Sequence, residues 1–151
     1  MSSPNDTTDY IAQAISNIQT VIQNYKDYLG YKNLEISEDN YIPVYPTITI
    51  EFASMTSEWK SMPKRMVLNM LFDITYFSSN LNDRNARQSL RSGLSKLSNC
   101  LRENWDLNNY CEDLGTEILS VTPYVLAQGN EVVLGGVISV ECRKVISVTL
   151  T

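Results

Sequence analysis

The residue types that carry most enzyme chemistry are sparse in this sequence. Its 151 residues include no histidine, which removes the commonest general base and the commonest transition-metal ligand. The three cysteines, Cys100, Cys111 and Cys142, are an odd number without close-pair spacing. This pattern argues against a zinc site or a disulfide framework, and it predicts reduced, mostly buried thiols.

Acidic residues form two short clusters that could serve acid–base or magnesium chemistry. One comprises Glu35, Glu38 and Asp39, and the other comprises Glu112 and Asp113. Both clusters fall in predicted loops, so we interpret them as solvated carboxylates. The sequence also has no GxGxxG, Walker, GxSxG or HExxH motif. We therefore expect no catalytic residues, no bound metal and no cofactor.

Composition predicts one soluble globular domain. The chain is 43% hydrophobic and 19% charged, and its net charge of −5 argues against general affinity for nucleic acid or anionic membrane. No apolar run approaches the length of a membrane span, and the N-terminus is polar, so we expect synthesis in the cytoplasm. Residues 1–7 are predicted to be a flexible leader and residues 8–151 a single domain.

Two amphipathic helices are predicted. The first begins near Thr8 and ends at Gly30, and its apolar residues recur every three or four positions. It either lies on a sheet or is shared with a neighbouring subunit. The second runs from a cap at Asn82 or Asp83 to about Glu103.

Alternation of apolar and polar residues predicts four strands, at 47–52, 66–77, 117–122 and 132–151. The second of these should be central, and Pro123 should end the third. The last strand carries an apolar row on its even positions, and Gly135-Gly136 predicts a bulge or bend within it. The fold class is therefore α+β, a two-layer sandwich. Its antiparallel or mixed sheet of about four strands carries two main helices on one face.

The connector at residues 31–46 is rich in tyrosine, which offers apolar area together with a polar tip. Tyr41 and Tyr45 are its candidate assembly contacts. A tyrosine-rich segment suits a subunit interface, and it suits the edge of the protein's own core equally well.

Residues 53–64 break the alternation and are predicted to be a loop at the tip of a long hairpin. This segment carries Met55, Trp59 and Met62. Loops of this length in compact domains tend to be functional, so we predict that these three residues make assembly contacts.

Arg84, Arg87 and Arg91 form a basic stripe on the second helix. It could be a solvated face, a partner for an acidic patch on a neighbouring molecule, or a phosphate contact. We expect it to act between proteins, because the surplus of acidic residues in this chain supplies partners on a neighbouring molecule.

Three segments of this sequence occur in the same order, relative to the predicted helices and strands, as in a known protein family. Tyr45-Pro46-Thr47-Ile48 enters a strand after the leading helix, and Pro63-Lys64-Arg65 precedes the strand that runs to Phe77. Leu101-Arg102-Glu103-Asn104-Trp105-Asp106-Leu107 follows the second helix. Over about residues 8–150, the chain resembles the tail terminator (tail completion) proteins of tailed bacteriophages. The resemblance lies in its size, in the order of its helices and strands, and in its general sequence character.

The resemblance implies a homohexameric ring at the head-proximal end of the tail tube. Such a ring ends tube growth, joins the tail to the neck or connector protein, and lets DNA pass without specific binding. Its implied partners are copies of itself, the tail-tube protein and the neck protein, within the virion and without a membrane. A neck or head–tail joining adaptor remains an alternative, as does a small ligand-binding or enzymatic α+β domain.

Overall fold

The computed structural model describes residues 4–36, 44–60, 64–80 and 84–148. The elements are α1 (Tyr10–Asn24), α2 (Lys26–Leu29), β1 (Asn33–Ile36), β2 (Thr47–Trp59), β3 (Arg65–Asn80), α3 (Ala86–Glu103), β4 (Thr116–Gln128) and β5 (Glu131–Ser147). The strands form one sheet in the order β1-β2-β3-β5-β4. The helices α1 and α3 share a single apolar core with one face of this sheet. The predicted α+β sandwich is confirmed, with five strands in place of four.

The first helix is shorter than its apolar pattern suggests. α1 follows Asp9, whose carboxylate accepts a hydrogen bond from the backbone N–H of Ala12 at 2.9 Å and so caps the helix. At Tyr25 the backbone leaves helical geometry, and α2 is a separate turn. Gly30 ends this turn with φ of 68°, the left-handed conformation that favours glycine. The core side of α1 is apolar: Ala14, Ile18, Val21 and Ile22.

α3 packs across the middle of the sheet. Its N-cap is Asn85, so the prediction of a cap at Asn82 or Asp83 is wrong. Those two residues lie outside the described ranges. The predicted end at Glu103 is confirmed. The helix lies close to the sheet: Gly93 faces the ring of Tyr76, and Leu94 lies over Gly136.

β3 is the central strand, as predicted, and it pairs antiparallel with both β2 and β5. The even positions of β5 face the helices, and Ile138, Val140 and Cys142 are buried there. Lys144 interrupts this row. Its ammonium lies 4.6 Å from the ring centroid of Tyr110 and donates a hydrogen bond to the Tyr110 carbonyl at 2.9 Å. These two contacts with Tyr110 stabilise the Lys144 ammonium at the end of an apolar row.

Two strand boundaries differ from prediction. Residues 53–59 belong to β2 and are not a loop, because a bulge at Ala53, between Phe52 and Ser54, breaks the alternation without ending the strand. β4 continues through Pro123 to Gln128. Proline is compatible with this position because β4 is an edge strand and needs no donor on its outer side.

Two further features of the sheet were not foreseen. The bulge expected at Gly135-Gly136 lies in the neighbouring strand, at Ser78 of β3. β1 is a fifth strand that pairs parallel with Thr47–Ile50 of β2, inside the segment predicted to be a connector. No helix within the described ranges is long and apolar enough to span a membrane.

Candidate assembly surfaces

Among the described residues, β2 extends past β1 and then pairs on one side only. β1 covers Thr47–Ile50, and among the described strands only β3 pairs with residues 51–59. Every residue of this stretch, which we call the free β2 segment, is exposed. Its outer backbone groups have no strand partner in the described sheet, so the segment can accept an additional strand.

The bulge at Ala53 gathers the large side chains of the free β2 segment on one face. Phe52, Met55 and Trp59 are 37%, 44% and 57% exposed. Their partners on β3 all belong to the row that faces the helices: Phe72, Met70 and Met66. The Phe52 ring also packs edge-on against Phe72, with centroids 5.8 Å apart. We call Phe52, Met55 and Trp59 the apolar row of β2.

The opposite face of the same segment is polar. Glu51, Ser54, Thr56 and Glu58 pair with residues of β3 that point away from the helices. The free β2 segment is therefore two-sided, with an apolar side continuous with the helix-facing core and a polar, acidic side.

β4 forms the other edge of the sheet and also exposes apolar side chains. A bulge at Leu119 resets its alternation. Val121 and Val125, which are 42% and 61% exposed, pair with Ile138 and Leu134 and therefore lie on the helix-facing side. The outward-facing residues of β4 are mostly polar: Glu117, Ser120, Thr122 and Tyr124. Both edges of the sheet thus carry the same two-sided pattern.

The predicted basic stripe borders the β4 edge. Arg84, Arg87 and Arg91 are all exposed. Arg102 lines a groove together with Leu94, Ser95, Ser98, Asn99 and Val121. Arg91 lies three helical turns before Arg102 and so projects from the same side of α3. Within the described ranges the one ion pair joins Arg143 to Glu117 at 3.8 Å, so the stripe has no carboxylate partner there.

Among the remaining predicted contacts, Tyr45 packs against residues of its own subunit. It is half-buried and packs with Phe77, Val133 and Leu126 on the outward face of the sheet. Its hydroxyl lies 3.4 Å from the carboxylate of Glu131, and its peptide bond to Pro46 is cis. For Tyr45 the structure thus favours the alternative in which the tyrosine covers the core edge. Tyr41 and Met62 lie outside the described residues.

The three cysteines are free and buried, as predicted. The fold also brings Cys111 and Cys142 together, although they are far apart in sequence. The hydrogen bond between them and their burial raise the pKa of the Cys142 thiol, so it stays protonated at neutral pH. No group of three or more metal-ligating side chains occurs among the described residues.

An open cleft of about 570 Å³ separates the end of α2 from α3. Its polar lining comes mainly from one side of α3: Asn85, Gln88, Ser89, Ser92 and Lys96. The Lys96 ammonium lies 5.4 Å from the ring centroid of Tyr28. The residues lining the cleft include no carboxylate and no thiol.

These features define a class of protein: an α+β two-layer sandwich with a mixed sheet and two exposed, two-sided edges. The sequence matches no known family model and no curated protein.

Proposed function

We propose that this chain is a structural protein of a bacteriophage tail. Copies of it form a closed ring at the head-proximal end of the tail tube, and the family resemblance implies six copies per ring. The ring ends tube growth, joins the tail to the neck or connector, and lets DNA pass. The chain has no enzymatic activity and needs no cofactor, and it resides in the virion after assembly in the host cytoplasm.

The observation that carries the proposal is the apolar row of β2. Phe52, Met55 and Trp59 form a contiguous exposed surface on a strand whose outer edge has no partner among the described strands. Exposed large apolar side chains grouped in this way are typical of protein–protein interfaces. The β4 edge supplies a second apolar surface on the far side of the sheet. Two different surfaces on opposite sides favour head-to-tail contacts, which close into rings when the rotation permits.

The negative net charge of the chain favours a channel through which DNA passes over a protein that binds DNA. The net charge is −5, and a channel with an acidic wall repels the phosphate backbone and so keeps DNA mobile. A neck or head–tail joining adaptor would share the ring and the conduit, and it remains the alternative within the same class.

The first test is the mass of the purified protein in solution over a range of concentrations, with negative-stain images. We expect a species of about six times the chain mass of 17.1 kDa and rings with a central hole. A monomer at every concentration would contradict the proposal and would favour the ligand-binding alternative.

A second measurement separates a terminator from a neck adaptor. The rings are added to the cognate tail-tube protein while it polymerises. A terminator shortens the tubes and appears at one end of each. Rings that leave tube length unchanged and bind only the connector support the adaptor.

A further inference from the structure

The described helices all contribute to one core, on a single side of the sheet. We call that side of the molecule the helix side, and the opposite face of the sheet the outward face. We infer that the outward face of one copy receives the helix side of the next, so that α3 of the neighbour lies across it. The inference rests on the proposed function, because it assigns the two surfaces of the contact that builds the ring.

The outward face of the sheet is rich in carboxylates. Within the described ranges, the strand registers place these acidic residues on it: Glu35, Glu51, Glu58, Asp73, Glu117 and Glu141. The basic residues that the registers place there are Arg143 and, at the end of the β2–β3 hairpin, Arg65. Since Arg143 pairs with Glu117 alone, most of the negative charge stays without a cation in the described part of the subunit.

Two pairs of like charge stand directly across neighbouring strands on the outward face. Glu51 is the register partner of Asp73, and Glu117 is the register partner of Glu141. Like charges in this arrangement destabilise an isolated sheet. Leu71 is half-buried beside both pairs, opposite Glu141 and two residues from Asp73. Cationic side chains from another molecule would relieve the repulsion around this apolar centre.

The helix side has the complementary charge. α1 contains no charged residue. The charged residues of α3 are Arg87, Arg91, Lys96, Arg102 and one acid, Glu103. The three arginines are exposed, and none has a carboxylate partner in the described ranges. The helix side therefore offers the cations that the outward face lacks.

The two surfaces also match in length. Glu51 and Glu117 stand three strand spacings and two residues apart, which is about 16 Å in a regular sheet. Arg91 and Arg102 project from the same side of α3 and are also about 16 Å apart, at 1.5 Å per residue. A helix laid across the outward face can thus bring a guanidinium near each end of the carboxylate cluster.

The charges favour a head-to-tail contact between copies over a symmetric one. Two outward faces repel each other, and so do two basic stripes, because like charges are then brought together. The arrangement that joins opposite charges repeats in one direction and can close into a ring. The apolar row of β2 lies on the helix side as well, so it borders the same contact.

The test reverses the charge of each surface in turn. Glu51→Lys with Glu141→Lys reverses the outward face. Each of these changes turns a like-charged pair across strands into an opposite one, so folding should be retained. Arg87→Glu with Arg91→Glu reverses the helix side. Each double variant alone should self-associate about tenfold or more weakly than wild type in sedimentation at low ionic strength, because like charges then meet.

An equimolar mixture of the two double variants should form rings again. In a ring of alternating chains, the reversed helix side of one variant meets the reversed outward face of the other. The two unaltered surfaces meet at the next contact. Every contact then joins opposite charges, so native mass spectrometry should find rings with equal numbers of the two chains.

The matched control is Asp27→Lys with Asp113→Lys, which changes the net charge by the same amount at exposed positions outside the sheet. It should leave the rings intact. Normal rings from Glu51→Lys with Glu141→Lys would overturn the inference and leave the proposed function standing. If those rings also gained DNA affinity, the outward face would line the channel instead. Two folded variants that fail to assemble even when mixed would overturn the inference as well. A wild-type protein that is monomeric at every concentration overturns both.

Discussion

Gly93 of α3 lies directly against the ring of Tyr76 in β3: a Cβ built on the glycine would stand 2.2 Å from the ring. The helix approaches the sheet closely only because this position has no side chain. Gly136 meets Leu94 at a similar distance, but there the contact atoms belong to the ends of a rotatable side chain.

We expect Gly93→Ala to destabilise the protein. Alanine gains about 1 kcal/mol of helix propensity over glycine, but forcing α3 away from the aromatic ring costs more, so the net loss should be about 1–2 kcal/mol. Chemical denaturation of Gly93→Ala measures this loss. The control is Ser92→Ala on the exposed side of the same helix, which should change stability by less than about 0.5 kcal/mol. Equal stability of Gly93→Ala and wild type would contradict the close packing.

Trp59→Ala should separate folding from assembly. The side chain is 57% exposed, so its removal should alter the free energy of unfolding by less than about 0.5 kcal/mol. Because Trp59 lies in the apolar row of β2, the same change should weaken self-association at least tenfold. Sedimentation over a concentration series measures it. Tyr28→Ala, which removes another exposed aromatic ring, on α2 and outside the apolar row, should leave assembly unchanged. Loss of folded protein with Trp59→Ala would refute this prediction.

The basic stripe should act between proteins. Arg87→Glu with Arg91→Glu should impair ring assembly, because exposed ion pairs of about 0–1 kcal/mol each are repeated around the ring. DNA affinity at low salt should be unchanged. Lys26→Glu with Lys32→Glu alters the net charge equally at exposed positions elsewhere and should leave the rings intact. Normal rings that have lost a measurable DNA affinity would count against this role of the stripe.

Stability should fall at alkaline pH, partly through Tyr76. Burial raises the pKa of its hydroxyl above the ordinary value of about 10. The folded state therefore holds this proton more tightly than the unfolded state does. The associated stability is fully present below about pH 10 and is lost as pH rises through the folded pKa. Tyr76→Phe should show a shallower decline in the free energy of unfolding above pH 10. Identical slopes for the two proteins would exclude the contribution of Tyr76.

Local periodicity was enough to predict both main helices and the buried row of β5. The apolar row from Ile138 to Cys142 can be recognised in the sequence because every second side chain faces the core. A bulge is different, since one extra residue changes the alternation and only the partner strand reveals it. For that reason residues 53–59 look irregular in sequence although they form a strand.

Other features arise from pairing between distant parts of the chain. β1 is four residues long, and its place in the sheet is set by β2. Cys111 and Cys142 come together because a turn after α3 folds onto β5. Met55 and Trp59 were predicted as contacts because they fall in the expected loop, whereas Phe52 was not, because it falls in the strand predicted at 47–52. Its partial exposure is visible only in the structure, where the described residues of β1 pair with Thr47–Ile50 and do not reach Phe52.

The bulge at Ala53 also bears on which length changes this chain can tolerate. A one-residue deletion there would carry Met55 and Trp59 to the polar side of the sheet while leaving the core residues of β3 and β5 in place. Such a chain would retain its fold and present a different surface to its surroundings. Insertions in the turn between β4 and β5, by contrast, leave every face as it is. Natural length variation should therefore spare the bulge and concentrate in the turn.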